Sequence, residues 1–169
     1  MIARTFDEVL RTPRARLVMA TLAQKRAEHP ELRAAPSLAA LYVVAKREHI
    51  IVHDVARAHW IAGFAMHALG VGLISLNEAL APSERRCVFA HELGHIMLGH
   101  CTDGVLRAWL GSECGAWWSL GWRCDGPLYM RTEHEADLFG AALLGMSLRT
   151  FRATIEPYYD RRDGERAAA

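Results

Sequence analysis

At 169 residues and 51% apolar composition, the chain can bury one sizeable core, and a single domain over residues 1–160 is expected. Twenty basic against 19 acidic residues, a formal net charge of +1, give no electrostatic case for direct nucleic-acid binding. The N-terminal stretch MIARTFDEVLRTPRARL lacks the apolar centre of a secretory signal. The four cysteines, Cys87, Cys101, Cys114 and Cys124, show no CxxC or zinc-knuckle spacing and read as thiols of a reducing compartment, although a Cys114–Cys124 bridge is open. A cytoplasmic protein is expected.

Residues 6–28 carry helical spacing, with Pro13 expected to break them into two pieces; residues 1–36 read as a helical N-terminal extension. Ser37 is a suitable N-cap for LAALYVVAKRE, which sets Leu38, Leu41, Tyr42 and Ala45 on one face. Ile50-Ile51-Val52 suits a short buried strand. The apolar run from Trp60 to Leu76 is long enough to suggest a membrane span. It contains His67 and a turn-like Ala68-Leu69-Gly70, so a hairpin of two strands, Trp60–His67 and Val71–Asn77, is the better reading. A sheet of about three strands follows, and no membrane association. Pro82-Ser83-Glu84 signals a helix start with Ser83 as cap, the helix running to about Gly99.

Residues 101–131 form a tryptophan-rich insert with Trp109, Trp117, Trp118 and Trp122, read either as packing against the core or as an aromatic lip. Thr132 and Glu135 have capping-box spacing and open a helix expected to end near Gly145. Ser147 starts another short helix, and residues 161–169 read as a frayed tail.

The chemistry lies in Phe89-Ala90-His91-Glu92-Leu93-Gly94-His95-Ile96-Met97-Leu98-Gly99-His100. Residues four apart on a helix lie about 40° apart around the axis, so His91 and His95 can share a tetrahedral zinc ion, Zn2+. Glu92 beside them suits a general base. His100 is about 180° around from His91 on the same helix and is set aside as a ligand. With nine histidines in the chain, HExxH arises by chance in roughly 3% of shuffled sequences, so a third ligand decides its weight. Glu133 and Asp137 on the downstream helix are also four apart. One face can thus present Glu133 as a ligand and Asp137 as an acid that orients a ligand histidine. Glu135 points about 160° away from that face; it, His134 and a cysteine are the alternatives to Glu133. His49, His53, His59 and His67 read as structural.

From Ser37 to about Phe151 the order of elements, with AHELGH and EHEADLFGAALL, resembles the ImmA/IrrE family of zinc metallo-endopeptidases, a glutamate-zincin group. The resemblance implies an α+β fold: a compact zincin-like domain whose small sheet packs on the HExxH helix and a second, ligand-bearing helix. The ligands it implies fall on His91, His95 and Glu133, with Glu92 as catalytic acid/base. Asp137 stands where the family often has Asn, Gly140 where it has Ala, and Gly145-Met146 where it often has Met-Pro. The expected activity is hydrolysis of a specific protein or peptide substrate, for which a DNA-binding transcriptional repressor is the family's precedent, by Glu92-assisted attack of a zinc-bound water. Tyr129, His134, Tyr158 and Tyr159 are candidate oxyanion donors. Two other classes compete: a zinc-binding regulatory or antitoxin-like interaction domain with little hydrolysis, and a metal-free helical interaction module.

Overall fold

The computed structural model describes residues 12–56, 62–68, 70–101 and 127–155. Within them the chain runs α1 (Pro13–Glu28), a 3-10 turn (Pro30–Leu32), α2 (Leu38–Arg47), β1 (Ile50–Val55), β2 (Gly63–Ala68), β3 (Val71–Asn77), α3 (Pro82–Met97), α4 (Pro127–Leu144) and α5 (Leu148–Ile155). The tryptophan-rich stretch from 102 to 126 and the C-terminal tail lie outside the described residues, as do Cys114, Cys124, His59, Tyr158 and Tyr159.

Pro13 begins a helix, in keeping with the break expected there, while residues 6–11 before it lie outside the described residues. It occupies the first turn of α1, where a missing N–H costs nothing, and the Thr12 side chain accepts the Ala15 N–H at 3.1 Å. Val18 and Leu22 of α1 are fully buried, each stabilising by about 1.5–3 kcal/mol before entropy, so this helix is a wall of the core. Ser37 caps α2 as expected, its hydroxyl accepting the Ala40 N–H at 3.2 Å.

The three strands form one mixed sheet in the order β1-β3-β2. β3 lies centrally, parallel to β1 and antiparallel to β2, with Val52 opposite Ile74 and Ala65 opposite the same residue on the other side. Being central, β3 is buried along most of its length, Ile74 and Leu76 completely, as strands covered on both faces are. The described part of the second strand runs from Gly63, the expected start at Trp60 lying outside the described residues, and Gly70 turns the hairpin with φ +78°.

α3 packs against both β2 and β3 and, most extensively, against α4. Its start differs from the Ser83 expectation. Ala81 holds the cap position, Pro82 enters the first turn, and the Glu84 carboxylate reaches back to accept the Ala81 N–H at 2.9 Å. Phe89, Leu93, Phe139 and Phe151 fill the space between α3, α4 and α5 with no exposure. Two glycines permit the close crossing. A Cβ on Gly94 would lie 3.3 Å from the Ala136 carbonyl oxygen, and one on Gly140 would meet the Phe151 ring at 2.5 Å. An alanine at position 140 therefore has no room here, because Phe151 occupies it. No described helix is long and apolar enough to cross a membrane.

Candidate metal centre

α3 presents His91 and His95 one turn apart, and α4, crossing it, presents Glu133. His91 Nε2 and His95 Nε2 are 3.0 Å apart. The Glu133 carboxylate oxygens lie 3.2 Å from the first and 3.3 Å from the second. A tetrahedral ion bound by nitrogen and oxygen at about 2.0–2.1 Å has ligand–ligand edges of about 3.3 Å, so the three donors already stand at the spacing such an ion needs. His91 is buried, and His95 and Glu133 are largely covered. Burial alone would disfavour charge on both partners, yet the hydrogen bonds between them outweigh it. His91 is held well above the ordinary imidazole value by the Asp137 and Glu133 carboxylates. Glu133 is held well below the ordinary carboxyl value by the two imidazoles.

Both Nε2 atoms face the common point, so the Nδ1 atoms face away from it. His91 Nδ1 meets Asp137 Oδ1 at 3.0 Å, and Arg152 of α5 donates through Nε to Asp137 Oδ2 at 2.8 Å. The i, i+4 pair on α4 thus reaches the same histidine from two sides, Glu133 at Nε2 and Asp137 at Nδ1. The Arg152 guanidinium also lies 2.6 Å from His134 Nδ1. Burial and this cation hold His134 below the ordinary imidazole value.

Glu92 is buried at 8% exposure. The first residue of β2 approaches it so closely that a Cβ built on Gly63 would lie 3.4 Å from Glu92 Oε1. Cys101 sits behind this cluster; burial, then the Glu92 and Glu133 carboxylates, push its thiol up to about 12. It therefore carries its proton at neutral pH.

Two residues sit differently from the sequence reading. The helical wheel that sets His100 opposite His91 holds only while the helix continues, and α3 stops at Met97. Gly99 adopts φ +72°, the His100 N–H bonds back to the His95 carbonyl at 2.9 Å and the Gly99 N–H to Ile96 at 3.0 Å. This pair of bonds is a Schellman turn. It folds His100 back so that its Nδ1 lies 3.1 Å from His95 Nδ1. Glu135, expected to cap a helix starting at Thr132, is instead mid-helix in α4, which begins at Pro127. Its carboxylate is buried and lies 3.1 Å from His100 Nε2.

Residues 51–108 match the family model of the IrrE N-terminal-like domain, a peptidase family. About a third of the chain is thus similar to this family. The matched span covers the sheet and the HExxH helix, whereas Glu133 and Asp137 lie beyond it and are joined to the histidines by geometry alone. No curated protein and no solved structure gives a significant match. The family carries a metallopeptidase-type function, and with it a metal and a protein substrate in general.

Proposed function

We propose that this IrrE-like chain is a zinc-dependent endopeptidase, with His91, His95 and Glu133 as metal ligands, Glu92 as general base and acid, and Asp137 as the orienting partner of His91. The observation that carries this reading is the convergence of two imidazole Nε2 atoms and one carboxylate at tetrahedral spacing, beside a buried glutamate that is not one of the three. A purely structural zinc takes four closed protein ligands and has no use for such a base.

A bound zinc supplies Lewis-acid activation of water and of the scissile carbonyl. Glu92 takes the proton from the attacking water and returns it to the leaving amine. Asp137 accepts the Nδ1–H of His91, which fixes the tautomer that leaves Nε2 free to coordinate. Arg152 in turn neutralises Asp137. Among the described strands β2 ends the sheet, and its first residue lies against Glu92, so an extended peptide added along that edge would pass the base. Gly63 lets β2 lie this close to α3, since a Cβ there would meet Val88 Cγ1 at 2.9 Å. We infer a specific protein substrate, with a transcriptional repressor as the first candidate, and a cytoplasmic site of action.

The test is Glu92→Gln, assayed for zinc content and for cleavage of candidate repressors. The variant is expected to keep one equivalent of zinc while cleavage falls by about 10²–10⁴-fold. Cleavage at the wild-type rate would sink the mechanism, and wild-type protein that takes up no zinc would sink the whole reading.

A further inference from the structure

Asp137 serves one ligand histidine, and the other has its own support. We infer that His100 is the positioning residue of His95, itself fixed by Glu135, in a second relay that runs away from the metal centre.

The direction of each hydrogen bond follows from the first. This inference rests on the metal-centre reading: if His95 coordinates through Nε2, its Nδ1 must carry the proton and donate. His100 Nδ1, 3.1 Å away, is then the acceptor. Its remaining nitrogen, Nε2, must carry the ring proton and donates to Glu135 Oε2 at 3.1 Å. The carboxylate ends the chain and needs no proton of its own. Arg14 of α1 donates to its other oxygen at 3.3 Å, so the relay ends on the N-terminal helix. All three inner members are covered: His100 and Glu135 side chains are 9% and 7% exposed and that of His95 is 12%. In such surroundings a buried donor without an acceptor is costly, so the arrangement selects one tautomer and one ring orientation of His95. The Schellman turn at Gly99 is what brings His100 there.

An amide can do what this imidazole does, accepting through its oxygen and donating through its nitrogen; an alkyl group can do neither. The experiment compares His100→Leu with His100→Gln in the full chain. Zn2+ affinity is read by chelator competition and coordination by the visible absorption of the Co2+-loaded protein. Loss of an outer partner of a metal-bound histidine lowers metal affinity about 10–100-fold. That loss, with an altered Co2+ spectrum, is expected for His100→Leu. His100→Gln is expected to stay within about threefold of wild type. Wild-type affinity in His100→Leu, or equal losses in both variants, overturns the relay. If His100→Leu does not fold, Glu135→Leu against Glu135→Gln gives the same contrast, the amide oxygen of Gln still accepting from His100. A wild-type chain that binds neither ion refutes the metal centre itself, which is a different outcome from a relay variant that binds normally.

Discussion

Among the described residues, two groups bring histidine and carboxylate ligand atoms within reach of one another, and the proposed function assigns a metal to only one of them. Glu28, His29 and Glu48 have ligand atoms within 4.8 Å of one another, as do His91, His95 and Glu133. In the first cluster the cation is part of the chain. Lys25 Nζ lies 2.9 Å from Glu28 Oε2 and 2.9 Å from Glu48 Oε1, and His29 adds its Nε2 to the same Glu48 oxygen. At the second, the arginines stand one layer out, Arg152 on Asp137 and Arg14 on Glu135. They brace the acids that brace the histidines. A centre that keeps its own cations one shell away leaves its innermost donors directed at a shared point. Proximity of donors is therefore weak evidence of a metal site, and the position of the nearest fixed cation discriminates.

The largest expected effect tests that distinction. Glu133→Ala should lower zinc affinity by more than about 100-fold, exceeding the loss of any outer partner, whereas Glu48→Ala should leave both affinity and the single equivalent unchanged. Measured by chelator competition and metal analysis, a second equivalent in wild type that Glu48→Ala abolishes would erase the contrast. Next in size, Asp137→Ala removes the acceptor of His91 Nδ1–H and should weaken zinc binding about 10–100-fold while His91, His95 and Glu133 all remain in place.

The metal-side cluster depends on how closely α4 approaches α3, and Gly140 measures it. A methyl group there meets Phe151 at 2.5 Å and approaches the His91 backbone nitrogen at 3.3 Å. Overpacking of this kind costs about 1–3 kcal/mol, offset by about 1 kcal/mol of helix propensity gained over glycine. Gly140→Ala should therefore destabilise by up to about 2 kcal/mol in urea unfolding. Phe151→Leu in the same chain should relieve part of that loss, giving a favourable coupling of about 0.5 kcal/mol or more. Additive effects would mean that the ring yields freely.

Much of this was legible in the sequence, for a definite reason. His91 with His95, and Glu133 with Asp137, are i, i+4 pairs inside helices, so their shared faces follow from a fixed 100° per residue. The three-strand sheet follows equally from short apolar runs around a glycine turn. What escaped depended on where elements begin and end. His100 was misplaced because the wheel was carried past Gly99, although glycine beyond a helix end is itself the signal for a left-handed turn. Thr132 and Glu135 satisfied a local capping pattern, but α4 begins five residues earlier and His100 with Arg14 takes the carboxylate. Arg152 could not be read at all: its partners Asp137 and His134 lie 15 and 18 residues away, and only the packing of α5 brings it to them.

The smallest expected effect belongs to the cluster that carries its own cation. Burial raises the Glu48 carboxyl, but the bonds from Lys25 and His29 outweigh it and leave the group below its ordinary value. A carboxyl lowered in the folded state binds protons less readily there than in the unfolded chain. Its contribution is thus complete above the ordinary carboxyl range near pH 4.5 and is lost as pH falls through the lowered folded value. Partly exposed pairs of this kind contribute at most about 1 kcal/mol. Glu48→Gln should therefore destabilise by that amount or less at pH 7, and the difference from wild type should vanish in strong acid. Added zinc should leave the difference untouched at either pH, because the cation this carboxylate answers to is Lys25. A zinc-dependent gap between the two proteins would show instead that the ammonium can be displaced, and the distinction between the clusters would become one of affinity alone.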